Sequence, residues 1–446
     1  MVRMRALCKK PSGVAKKPSL LVAIGLLLIL ALPVESLPLP VRAQIIPLTS
    51  LLALPFLPFV LKRIKVTPLM QAVIIFVLFT LLHSMVALFI DIGFLRAGTI
   101  RIYAWARQLA ALLAGLAVFF VLRTALLYIS DRALGSAVLV GAVPALALSL
   151  ANVVWGVTGD KAAGILVTSV RSFLLPRGFN HPSRVSGLSL EPAHFAFYLA
   201  VIVFPIVLTR LRERKKSMAL LCFSGLLTTA FVWTFSTTGF IVLLSMLFGG
   251  IIFGVQRKLF LKLIVGIVVA ITVMVSAFPS NYMIMQLRYL LSGLSGGEFS
   301  LSITNRLYSS LGPFLTTFSS YTLLGYGLGG TASHFPEIIP PQAQEDIARV
   351  SWRGMPNLRT LTGRLLAEAG LIGLTLMSFV LFIAFRQLDL ALKTPCDVPR
   401  RNLLQSGRFA LVGLIVGYTI IHGSFALPYL WFWLAVIDSR YLLRAK

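Results

Sequence analysis

Acidic residues are scarce in this chain. Aspartate and glutamate number 14 against 41 lysines and arginines, which gives the 446 residues a formal charge of +27. In a soluble protein that excess would suggest nucleic acid, but no basic patch with interleaved aromatics occurs along the sequence. Charge of either sign is thin, at 12% of residues, where a soluble domain carries about 25%. Cysteine is almost absent: Cys8, Cys222 and Cys396 all fall in segments expected within or inside the membrane, so disulfides are not expected. No Cys/His spacing suits a metal ion, and no cofactor is expected. What fills the chain instead is apolar sequence, 58% of residues, with a mean hydropathy of +0.90. Apolar runs of about 15–25 residues, the length that crosses a bilayer as a helix, recur along its whole length.

The fold class expected is therefore an all-α polytopic membrane protein of about twelve transmembrane helices with a large, partly helical outer loop. The spans read as 20–34, 44–61, 69–90, 104–122, 133–155, 192–209, 218–235, 239–254, 263–279, 366–385, 409–427 and 429–443. With both termini cytoplasmic, every inner segment is rich in Lys and Arg, including KRIK, RLRERKK and QRKLFLK, and 27 of the 41 basic residues fall there. That bias is the usual orientation signal of a membrane protein, so most of the charge reports topology. The chain divides into 1–190 (N-terminal spans and a first long outer loop), 191–279 (central spans), 280–365 (the large outer loop) and 366–446 (C-terminal spans). A basic start, an apolar run at 19–32 and the ending VRA at 41–43 also fit a secretory signal peptide. A retained first span is the preferred reading.

Two outer connections are long, 156–190 and 280–365, and such segments usually carry function. The second contains the glycine-rich turns SGLSGGE and LLGYGLGG, with short helices expected at 300–318 and 343–365. Of the 14 basic residues on the outer side, 13 are arginine and only Lys161 is lysine, whereas the inner segments mix the two. Arginine holds its charge and offers five donors in a planar fork that suits phosphate oxygens. Two readings stay open: interfacial arginines paired with outer carboxylates, or a site for a phosphate or diphosphate.

The stretch RVSGLSLEPAHFAFYLA, Arg184 to Ala200, is where charge meets a span. Pro192 suits the first position of a helix, where a missing N–H costs nothing. Glu191 then occupies the cap, well placed against the helix dipole. His194 follows three residues on, sharing its face. The stretch is either a capped interfacial helix or a polar cluster at the outer mouth of a cavity. In the second case Arg184 holds an anion and Glu191 or His194 handles a proton.

The order of these features resembles the O-antigen ligase/polymerase superfamily of bacterial cell-surface glycan assembly, over roughly residues 130–430. The matching elements are Arg184–Val185–Ser186–Gly187 before a mid-chain span, the Ser-rich hairpin FSTTGF at 235–240, and TNRLYSS around Arg306 opening the large loop. The glycine turn LLGYGLGG at 323–330 and EAGLIGL from Glu368 complete the series. The resemblance implies a GT-C-like, metal-independent glycosyltransferase of the bacterial inner membrane. Its large loop would be periplasmic or extracellular, and its donor an undecaprenyl-diphosphate-linked oligosaccharide at the outer leaflet. It further implies work within the lipid bilayer beside other polysaccharide-assembly proteins, such as a flippase and a chain-length regulator, and no nucleic-acid partner. Arg184 and Arg306 are the leading candidates for the diphosphate, followed by Arg171, Arg177, Arg288 and Arg359. Glu191, His194 and His334 compete as the base that takes the acceptor proton. Many ligase-like members carry a His–Asn pair two turns before the closing glutamate. Here MPNLRTLTGRLLAEAG has Pro356 before Asn357, which favours a polymerase of O-antigen or exopolysaccharide over a ligase acting on lipid A core.

A lipid or solute transporter is the rival class. Carriers hold ionisable groups deep in their spans, and the expected spans have no Asp, Glu, Lys or Arg near their centres. Lesser expectations complete the reading. His83 and His422 are read as packing histidines, Asp438 and Arg440 as a local pair, Glu368 as a helix cap, and Trp352 as an interface anchor or sugar-stacking surface.

Overall fold

The computed structural model describes residues 19–35, 47–62, 64–94, 98–174, 184–213, 217–253, 301–319, 323–339, 358–421 and 423–443, with isolated positions at 254–300, 341 and 344. Among the described residues there are helices and turns and no strand. The first helices are α1 (Ser19–Leu30), α2 (Leu48–Ala53), α3 (Leu57–Leu61), α4 (Pro68–Phe94), α5 (Gly98–Leu126), α6 (Asp131–Thr158) and α7 (Lys161–Leu174). Next come α8 (Pro192–Tyr198) and α9 (Phe204–Glu213), joined by a π turn at Leu199–Val203, then α10 (Met218–Val232) and α11 (Thr237–Ile252). The segment that follows contributes α12 (Leu301–Ser319), α13 (Phe335–Ile338) and α14 (Leu361–Arg364). A second π turn, Leu365–Ala369, leads into α15 (Gly370–Lys393), followed by α16 (Val398–Ile420) and α17 (Pro428–Leu442).

Among the described residues, six runs are long and apolar enough to cross a bilayer: Pro68–Ile92, Gly98–Leu126, Asp131–Thr158, Pro192–Leu211, Leu361–Lys393 and Val398–Ile420. Leu20–Leu30, Leu48–Leu61, Met218–Val232 and Thr237–Ile252 are shorter apolar helices. The chain is an all-α protein of membrane type. The expected span 263–279 is described only at isolated positions. Helix α16 begins at Val398 instead of 409, because its first turns are polar and helical at once and hydropathy sees only the apolar part.

Helix α17 forms the centre, against α5, α15 and α16. Every residue from Pro428 to Arg440 is buried, as expected of a helix apolar on all sides. Its tryptophan Trp433 also repairs a neighbour. Pro205 brings no N–H to the Val201 carbonyl four residues before it, and in a bilayer such a group must find a partner within the protein. The Trp433 indole N–H donates to that carbonyl at 2.8 Å.

The C-terminal end of α17 is pinned by ions. Asp438 and Arg440 are not a local pair, because two residues along a helix face different sides. Asp438 pairs with Arg123 of α5 and accepts from Thr67 at 2.6 Å. Arg440 pairs with Asp131 of α6 at 2.5 Å and donates to the carbonyls of Leu126 and Ile129.

At the other end, the glycine turn of the large loop docks on α4, α5 and the second π turn. Buried Arg101 donates to the carbonyls of Leu328 (2.5 Å) and Tyr326 (2.9 Å), and Ser84 accepts from the Leu328 N–H. Gly329 has φ 72°, and a Cβ there would lie 2.5 Å from the Ala104 carbonyl carbon, so only glycine fits this close approach. Tyr326 N–H bonds to the Ala367 carbonyl at 2.8 Å. Glu368 is not a cap. It is buried in the π turn, accepts from Thr331 at 3.1 Å, and lies 3.9 Å from Arg364.

Candidate functional site

The site begins with a short loop held from two sides. Arg171 reaches in from α7 and donates to the carbonyls of Gly187 (2.7 Å), Ser189 (3.1 Å) and Leu190 (3.5 Å). From the other side Glu35 accepts the Leu190 N–H at 2.9 Å. These contacts fix the chain leading into α8. There Glu191 is extended at the cap position (φ −129°, ψ 152°) and Pro192 is the first helical residue, as the sequence suggests. The Glu191 side chain makes no capping bond. Instead its carboxylate stands 3.9 Å from Arg359.

The turn between α10 and α11 gathers the arginines. Phe235 adopts φ 46°, a left-handed conformation rare for a side chain of its bulk, which bends the backbone sharply. Ser236 caps α11 by accepting from the Gly239 N–H at 3.1 Å, and its hydroxyl lies 3.1 Å from that of Thr238. Arg184 donates through Nε to the Thr234 carbonyl at 3.1 Å, and the Val185 N–H donates to the Trp233 carbonyl at 3.0 Å. Arg306, from α12, donates to Thr238 Oγ1 at 2.9 Å. The two leading arginines are therefore anchored on one turn, though 122 positions separate them in sequence. Arg359 joins them because its segment is stitched to α12. Its N–H donates to the Ser309 hydroxyl at 3.2 Å, and Ser310 donates to Thr360 at 2.8 Å.

Charge in this corner is balanced around two carboxylates. Burial works to raise the pKa of Glu191, but the positive charges of His194, Arg359 and Arg306 outweigh it and hold the carboxyl below its ordinary value. Glu35, fully buried, lies 2.8 Å from His194 Nδ1. Burial brings the Arg171 guanidinium down to about 10, opposed by the charge of Glu35, so it stays cationic at neutral pH. With its donors on three carbonyls, Arg171 acts here as a clasp of the loop.

His334 belongs to a different group. Its Nε2 lies 3.1 Å from Asp91, which also pairs with Arg101 at 2.5 Å, and its Nδ1 lies 3.2 Å from Glu337. The ring stacks on Tyr326 with centroids 4.2 Å apart. Burial raises the Tyr326 hydroxyl to about 12, helped by its bond to Glu337. Arg288 is helical and exposed. His83 stacks on Phe79 at 5.8 Å. Arg177, Trp352 and His422 lie outside the described residues.

Glu35 was not among the residues the sequence singled out. One signal was there to be read: it is the only acidic residue before Asp91, and it ends the first apolar run. The Thr238 hydroxyl and Asp91 carried no such mark. No protein-family model matches the chain, and no curated protein was found to match it.

Proposed function

We propose that the chain is a membrane glycosyltransferase that uses an undecaprenyl-diphosphate-linked glycan at the outer face of the bacterial inner membrane. It polymerises O-antigen or exopolysaccharide repeat units. The observation that carries the reading is the anchoring of Arg184 and Arg306 on one turn, beside a carboxylate–histidine pair at the start of a membrane-spanning run. The sequence elements that resemble the O-antigen ligase/polymerase superfamily supply the substrate class.

In this reaction an acceptor sugar hydroxyl attacks the anomeric carbon of the donor, a new C–O bond forms, and the bond from that carbon to the diphosphate oxygen breaks. The diphosphate leaves on its lipid with growing negative charge. Arg184 and Arg306 stabilise that charge; one nitrogen of each rests on the turn, which orients the planar fork before the reaction begins. His194, in its neutral form, takes the proton of the attacking hydroxyl, oriented through Nδ1 by Glu35. The imidazolium so formed is the charge that, with Arg359 and Arg306, holds Glu191 down. Glu191 serves as a fixed carboxylate opposite Arg359, since a carboxyl held below its ordinary pKa is a weak base. Such general-base help contributes about 10²–10⁴-fold.

The test is turnover. Purified protein is incubated with a defined polyprenyl-diphosphate oligosaccharide repeat, with and without lipid A core. Longer lipid-linked glycans support a polymerase, and transfer to core supports a ligase. Unchanged substrate that has merely crossed a vesicle bilayer supports a carrier and sinks the proposal.

A further inference from the structure

Helix α12 is built inside out. Its large apolar residues Leu307, Leu311, Phe314, Leu315 and Phe318 recur at the three- and four-residue spacing of one helical face, and each is between 38% and 63% exposed. The polar residues turn toward the protein instead. Arg306 donates to Thr238 at 2.9 Å, the Ser310 hydroxyl lies 2.7 Å from the Thr419 carbonyl, and that of Thr316 lies 3.1 Å from the Ile338 carbonyl. Pro313 brings no N–H to the Ser309 carbonyl four residues before it, and the Thr360 hydroxyl donates to that carbonyl at 3.2 Å.

These contacts also fix where the helix lies. Thr419 is in the last turn of α16, and Thr360 caps the start of α14. Each stands at the end of a run long and apolar enough to cross a bilayer, Val398–Ile420 and Leu361–Lys393. Thr238 is in the first turn of α11. Helix α12 therefore rests against the ends of three apolar helices, all at one level. Ile415, four residues before Thr419 on α16, is 41% exposed. On a helix that crosses a bilayer, an exposed apolar side chain meets hydrocarbon. The stripe of α12 lies beside that surface, where the spans end.

A helix on the surface of a soluble protein keeps its apolar stripe against the core and its polar face in water. In α12 the two are exchanged, and between Leu307 and Phe318 the exposed face offers five large apolar side chains and no charge. Its occupant must therefore bring neither charge nor hydrogen bonds, which describes the acyl chains at a membrane interface. We propose that α12 is an interfacial helix whose stripe is sunk into the acyl chains of one lipid leaflet. Arg306, on the neighbouring side of the helix, is then carried at headgroup depth, where lipid phosphates lie. This placement holds whether or not the chain transfers glycan.

The test uses the full chain, with Cys8, Cys222 and Cys396 changed to serine, in vesicles of phosphatidylethanolamine and phosphatidylglycerol. A spin label is attached at Leu311→Cys or at Phe318→Cys, both exposed positions. Collisions with oxygen, which concentrates in hydrocarbon, are compared with collisions with a water-soluble nickel chelate, and lipids labelled at known depths calibrate the ratio. Both labels are expected to favour oxygen and to lie about 5–10 Å below the headgroup boundary. If one variant fails to fold, the other decides. Chelate collisions as frequent as those of a label in water would place the stripe in solvent. Exclusion of both reagents would place it against protein, and dipolar broadening between labels on two chains would place it against a second copy. Any of these three results overturns the proposal.

Discussion

A histidine takes a proton well only when its ring is held in one orientation, and at His194 the holding group is a buried carboxylate 2.8 Å away. Glu35→Gln keeps the size of that group and removes its charge. The variant is expected to lose about 10–100-fold in kcat with KM little changed, within the range that general acid–base groups supply. Its pH–rate profile should also move, because the histidine no longer faces a negative charge. Both are read from initial rates of glycan extension across pH, and a change in KM alone would mean that Glu35 only shapes the loop. Much of this site is legible in the sequence. Arg184, Glu191 and His194 lie within one short stretch whose proline marks a helix start, and Arg306 sits in an equally polar motif. Glu35 is not, since its contact with the loop spans 155 positions and pairing across such a distance depends on how helices pack.

The π turn before α9 holds a carbonyl that another helix serves. The Val201 carbonyl faces Pro205, which has no N–H, and the Trp433 indole supplies the missing donor. Trp433→Phe keeps an aromatic body in a fully buried position and removes the indole donor from that carbonyl. The expected cost is about 1–3 kcal/mol, measured as a lower unfolding temperature in detergent. Trp431→Phe offers a comparison, because its indole serves a loop carbonyl, that of Phe425. An unaltered unfolding temperature in Trp433→Phe would mean that the carbonyl is satisfied otherwise. At this scale the sequence reports helices through their apolar runs and misses what is not apolar. It hid the polar first turns of α16, and it hid both π turns, since one extra residue in a turn leaves hydrophobic periodicity almost untouched. The pairing of Asp438 with Arg123 and of Arg440 with Asp131 is hidden for a physical reason: residues two apart on a helix face different sides and find their partners on other helices.

Across the whole molecule, the proposed function requires the Arg184–Arg306 turn to face outward, the orientation expected from the lysine and arginine bias. The orientation has a direct check. With Cys8 and Cys222 changed to serine, Cys396, in the link between α15 and α16, should react with a membrane-impermeant maleimide only once the cytoplasmic side is opened. Thr158→Cys, at the opposite end of α6 from Asp131, should react in intact spheroplasts. The reverse pattern would turn the proposed donor site toward the wrong face. The most direct measurement is extension of a defined polyprenyl-diphosphate-linked repeat by purified protein, compared with Arg184→Lys and Arg306→Lys. Lysine keeps the charge and loses the fork. The account expects lengthened glycan from the unaltered chain and at least a hundredfold slower extension, about the effect of removing one transition-state donor, from each variant that still inserts and folds. Full activity in both variants would contradict it.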